Sequence, residues 1–98
     1  MTTKTDYQSL LELKDFTPVS RGFICGAEGM QIEKALELKT RSNIELQNIR
    51  DMAVMIFGRW IEEAEEKGNT DAVMQKMDVM SAVCCVIDQE KWKHGMEV

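Results

Sequence analysis

The sequence predicts a mainly α fold. It is an antiparallel helical hairpin with a short N-terminal helix and an extended or small β segment packed on it, dimerising through its helices. Three observations predict this. Two long stretches, 30–67 and 71–93, carry apolar residues at alternating three- and four-residue steps, which is the period of helices that face each other. Only Gly68-Asn69-Thr70 separates the two stretches. The single proline, Pro18, lies outside both. With 98 residues, 44% of them hydrophobic, the chain has room for one domain, 1–98, and a small core.

Residues 1–29 read as a short helix followed by an extended segment. Tyr7, Leu10, Leu11 and Lys14 recur at helical spacing, and Thr5 or Asp6 can cap the first turn. Two or three turns are marginal alone, so this helix must dock on something. From Asp15 to Gly29 the chain is irregular and holds Pro18, Gly22, Gly26 and Gly29. Phe23-Ile24-Cys25 reads as a short strand after a turn at Ser20-Arg21-Gly22. Met30 to Lys67 is helical by propensity. Ser42-Asn43-Ile44-Glu45 fits a capping box, which predicts a break and two helices, about 30–40 and 43–67. One continuous helix is the alternative. Gly68 suits the left-handed residue that closes a helix, and Asn69 or Thr70 caps the next, which should run from 71 to 93 and stop before Gly95.

The hairpin seams are Leu46, Ile49, Ala53, Ile56 and Trp60 on one arm and Val73, Met77, Met80, Cys84 and Ile87 on the other. A short link makes the arms antiparallel, with Trp60 near Val73 and Leu46 near Ile87. Each arm is about 35 Å long at about 1.5 Å per residue. Mid-helix Gly58 either allows close approach opposite Ser81 or Ala82 or is simply tolerated, at about 1 kcal/mol relative to alanine.

The second arm has more apolar surface than one partner helix can cover. Val79 to Ile87 is apolar nearly all round. Leaving four such side chains in water forgoes about 6–12 kcal/mol, comparable with the whole stability of a domain. The N-terminal segment is expected to cover part and a second copy the rest, since isologous dimers are the commonest oligomers. Val79, Val83 and Val86 are therefore candidate partner-binding residues, with Met55 and Met74, which lie off the seams. Met52, Met77 and Met80 read as core filler. Glu62, Glu63, Glu65 and Glu66 crowd the end of a helix, where the dipole disfavours negative charge, and are candidates to meet a basic surface on a protein partner.

The chain carries 12 basic and 17 acidic residues, a formal net charge of -5, and no basic arm. Direct nucleic-acid binding is therefore not expected. No apolar run approaches the ~18 residues of a membrane span, and Met1 to Asp6 does not resemble a signal peptide. Three cysteines, Cys25, Cys84 and Cys85, argue for reduced thiols and a cytoplasmic setting, with Cys84 and Cys85 expected to be buried between Val83 and Val86.

No catalytic, cofactor-binding or metal-binding constellation is visible. His94, the only histidine, falls at the end of the last helix and reads as solvated. No Cys or His pair has zinc spacing. Glu33 and Glu37 share a helix face flanked by Lys34 and Lys39 and read as a solvated surface. Gly22 to Gly29 lacks the Gly-Lys-Ser/Thr ending of a phosphate loop. The expectation is a small acidic protein-binding or regulatory protein, not an enzyme. Its character is that of a bacterial or phage accessory factor that inhibits a host protein. The alternative is a small-molecule-binding domain in which residues 16–29 form a lid, with Phe23, Trp60 and Trp92 lining the site. A Cys25 nucleophile is a third and weaker reading, having no base beside it in sequence.

Overall fold

The computed structural model describes residues 5–17 and 26–96, and within them the chain forms four α-helices and one 3-10 turn. The expected strand at Phe23–Cys25 and its turn at Ser20–Gly22 lie outside the described residues. Helix α1 spans Asp6–Glu12. Thr5 caps it by a capping box: its hydroxyl accepts from the Gln8 amide at 3.1 Å, and Gln8 Oε1 accepts from the Thr5 amide at 2.9 Å. Helix α2 spans Gly26–Leu36, starting four residues before the expected Met30. Glycine's low helix propensity is a weak prior, and the docking of Ile32 and Leu36, both buried, overrides it.

The predicted break is present, and the continuous helix is not formed. Glu37 turns into the left-handed region (φ 52°), a 3-10 turn follows at Leu38–Thr40, and Ser42 opens α3, Asn43–Glu66. The Ser42 hydroxyl accepts from the Glu45 amide at 3.2 Å, and the Glu45 carboxylate accepts from the Ser42 amide at 3.2 Å. That carboxylate titrates below the ordinary glutamate range, first through the Ser42 amide, then through the Ser42 hydroxyl, which also donates to Glu45 Oε1 at 3.0 Å, and through the nearby Arg41 charge.

Gly68 (φ 69°) closes α3 in a Schellman turn, with Asn69 N–H donating to Ala64 O at 2.9 Å and Gly68 N–H to Glu65 O at 3.0 Å. Asn69 then caps α4, Thr70–Met96, by accepting from the Ala72 amide at 3.1 Å. Helices α3 and α4 pack on each other as the hairpin. Gly95 lies inside α4 rather than beyond its end. The last turn is held to the start of α3: His94 Nδ1 is 2.9 Å from Asn43 Oδ1, and His94 Nε2 is 3.3 Å from Glu90 Oε1. His94 is thus a half-buried tie, not the solvated end the sequence suggested.

One core joins these elements. Leu10 and Leu13, Ile32 and Leu36, and Leu38 of the turn pack with Leu46, Ile49, Ala53, Ile56 and Phe57 of α3 and Val79, Val83 and Ile87 of α4. The α3 seam matches the sequence reading. The α4 seam matches only in part. Ile87 is buried as expected and Met80 packs against the core, but the other buried residues are Lys76, Val79, Ala82, Val83, Val86 and Glu90, so the centre of the buried face is rotated by about one residue, or about 100°, from the expected Val73–Ile87 line. Met77, expected as filler, is exposed. A lysine and a glutamate at the ends of the buried line broke the hydropathy signal that would have revealed its phase.

Both charged residues have partners. Lys76 Nζ donates to Lys14 O at 2.7 Å and meets Asp15 Oδ1 at 3.3 Å. Gln75 Nε2 donates to the same carbonyl at 3.1 Å and to Phe16 O at 2.5 Å. Together they satisfy carbonyls just past α1, where a cation is favoured. Arg41 holds the other end of α1 through Asp6 at 2.8 Å. Lys14 also stands 5.1 Å over the Trp60 ring, which packs edge-on against Phe57. A helix too short to stand alone is thus fixed at both ends.

Candidate functional site

The inner half of α4 is closed by its own chain. Val79 and Val83 are 0% exposed and Val86 is 8% exposed. This corrects their assignment to a partner surface: α2 and the 3-10 turn, together with α3, supply the cover that a single arm could not. The excess of apolar residues read from the sequence is real. The N-terminal elements bury more of it than expected.

The outer half of α4 is a different surface. Met74 is 37% exposed, Met77 48% and Trp92 68%. Between them lie exposed Ser81, Cys85 and Asp88. Ser81, Cys84, Cys85, Asp88, Gln89 and Trp92 line a shallow groove of about 530 Å³ along the helix. At its edge Arg50 reaches over from α3 and binds Asp88 with two N–H groups, at 2.9 and 3.4 Å. The Asp88 hydrogen bond raises the Arg50 pKa, so this cation stays charged. Lys91 further along α4 hydrogen bonds Gln47 of α3.

The two cysteines differ. Cys84 is half-buried, and burial pushes its thiol above the ordinary range. Cys85 is exposed, contrary to expectation, and accepts a long contact of 3.7 Å from Gln89 Nε2. Cys25 lies outside the described residues. Met55 is exposed on α3, as the off-seam position implies, but it stands about half a turn from the buried Ala53 of the seam and the buried Phe57, and away from the α4 stripe. Glu62, Glu63, Glu65 and Glu66 are exposed where α3 meets the hairpin link. Glu33 is not a solvated residue: its Oε1 is buried without a hydrogen bond, with Lys39 Nζ 3.7 Å away.

The aromatic residues of the ligand-lid reading do not converge. Trp60 packs by Phe57 and Lys14, near Lys76. Trp92 lies sixteen residues beyond Lys76 on α4, about 24 Å along the helix at ~1.5 Å per residue. Phe23 and most of the 16–29 lid lie outside the described residues, and 26–29 are helical. Among the described residues no three His, Cys, Asp or Glu side chains are placed to hold a metal ion, and no helix is long and apolar enough to cross a membrane.

Compared with protein-family models, curated proteins and solved structures, the chain matches none.

Proposed function

We propose that this chain is a protein-binding module that acts through the outer face of α4, without chemistry of its own. One observation carries the reading. A helix already buried along its inner half exposes Met74, Met77 and Trp92 along its outer half, three large apolar side chains on an otherwise small and polar line. Scattered exposed apolar residues need no explanation, but a ridge with a terminal tryptophan is the composition of a contact surface. The mode of action is occupancy: a regulatory or inhibitory factor that covers part of another protein. The glutamates at positions 62, 63, 65 and 66, close in sequence to Met74, favour a partner with a basic surface and would speed its approach in a salt-dependent way.

A photo-crosslinking residue introduced at Met74, Met55 or Trp92, one at a time, in the native host tests this. Defined adducts from positions 74 and 92, with none from position 55, support the reading. No adduct from either α4 position overturns it.

A further inference from the structure

We propose that the segment from Thr5 to Phe16 is a latched strap: it leaves its bed as one unit while the hairpin stays folded, and the polar ties at its two ends set how often it does so. This device is independent of the outer face of α4.

The strap is lightly seated. Among the described residues it places Leu10 and Leu13 in the core, with Phe16 packed against the edge, whereas α3 alone places Leu46, Ile49, Ala53, Ile56 and Phe57 there. A helix of seven residues does not hold together in water, so α1 cannot undock and stay helical. Its docking and its folding are one event. On one flank the fit is open. A cleft of about 590 Å³ lies between Asp6 and Tyr7 of α1 and Thr40, Arg41 and Met52 opposite them.

The ends are tied by charge. Asp6 meets Arg41 at 2.8 Å at one end. Asp15 meets Lys76 at 3.3 Å at the other, where Lys76 Nζ also donates to Lys14 O and Gln75 Nε2 to Phe16 O. The strap thus carries an acid at each end, and its bed a cation at each end. Neither cation is stranded when the strap lifts. Arg41 keeps Glu45, 3.8 Å away, and the buried ammonium of Lys76 regains water. The freed carbonyls regain water as well. Opening therefore costs little beyond the exposure of the two leucines and the apolar bed beneath them. The rest of the fold keeps its seal, because α2, the 3-10 turn and α3 cover the inner valines of α4. The lifted form shows an apolar bed between two cations on a chain of net charge -5. The occupant that matches it is α1 itself, acidic at both ends, so the strap closes again on its own bed.

Native-state hydrogen exchange of the whole chain, resolved by residue, is the test, on the wild type, Arg41→Gln, the double variant Gln75→Ala with Lys76→Met, and Gly58→Ala. The amides of Leu10 to Leu13 are expected to share one opening constant, at least ~10-fold larger than that of the middle of α4. Arg41→Gln and the double variant each raise the α1 constant at least ~3-fold. Gly58→Ala strengthens the hairpin alone, so it lowers the α4 constant about 2- to 5-fold and leaves the α1 constant unchanged. An α1 constant equal to that of α4, and moving with it in Gly58→Ala, means that α1 opens only when the whole chain unfolds and overturns the proposal. Separate rates at Leu10 to Leu13, as in a fraying helix end, overturn it too, and so does an α1 constant indifferent to both tie variants.

Discussion

Lys76 shows how a single residue can hide a fold from its sequence. In the sequence it is one more charge on an amphipathic helix, yet in the structure it is buried and ties α4 to the carbonyl of Lys14. Because Gln75 donates to the same carbonyl, Lys76→Met leaves that oxygen partnered and should cost only about 1 kcal/mol. Adding Gln75→Ala orphans it, and the pair should cost more than the sum of the single changes, which a thermal-denaturation cycle measures. Glu45 gives a pH signature. Its folded pKa lies below its unfolded value, so its contribution is present above the ordinary glutamate range and is lost as pH falls through the depressed folded value. Amide exchange in the first turn of α3 should therefore rise in acid, relative to α4, and this step should be absent in Glu45→Ala. The same capping box was plain in the sequence, because Ser and Glu three apart need only each other. The Lys76 contact was not, because its partners lie about sixty residues away.

Among the elements, those with local signals were legible and those set by docking were not. Gly68-Asn69-Thr70 carried its turn in its own residues, and so did the break at Ser42. The start of α2 at Gly26, the extension of α4 through Gly95 and the rotation of the α4 seam depend on tertiary contacts, which no local pattern states. The candidate site was legible in the same partial way. Met74 stood out as off-seam, whereas Val79, Val83 and Val86 looked like contact residues until α2 and the 3-10 turn were placed over them. Two glycines separate local cost from packing. At both positions an added Cβ meets nothing within 4 Å. At Gly58, mid-helix, that gives no sign of the close approach considered from the sequence, and Gly58→Ala should raise stability by about 0.5–1 kcal/mol. At Gly68 the positive φ dominates, and Gly68→Ala should lower it by about 1–2 kcal/mol. Opposite shifts in denaturant midpoint at constant slope would check both.

At the scale of the molecule, the hairpin is asymmetric in purpose. One half of α4 is sealed by three elements of its own chain, and the other half carries a tryptophan and two methionines into solvent. The inner seal stabilises the fold, and the outer ridge is what remains to meet a partner. The most direct test is the rate of thiol labelling, in dilute solution and in a chain whose own Cys25, Cys84 and Cys85 are replaced by alanine, of single cysteines placed in turn by Val79→Cys, Val83→Cys, Val86→Cys, Met74→Cys, Ser81→Cys and Trp92→Cys. Valine to cysteine is a mild change in a core, so folding should survive it. Positions 74, 81 and 92 should label at least ~100-fold faster than 79, 83 and 86, since buried thiols react only when the cover opens. Equal rates on the two sides would contradict the account, because the inner valines would then be open to a partner and the N-terminal helices would not be their cover.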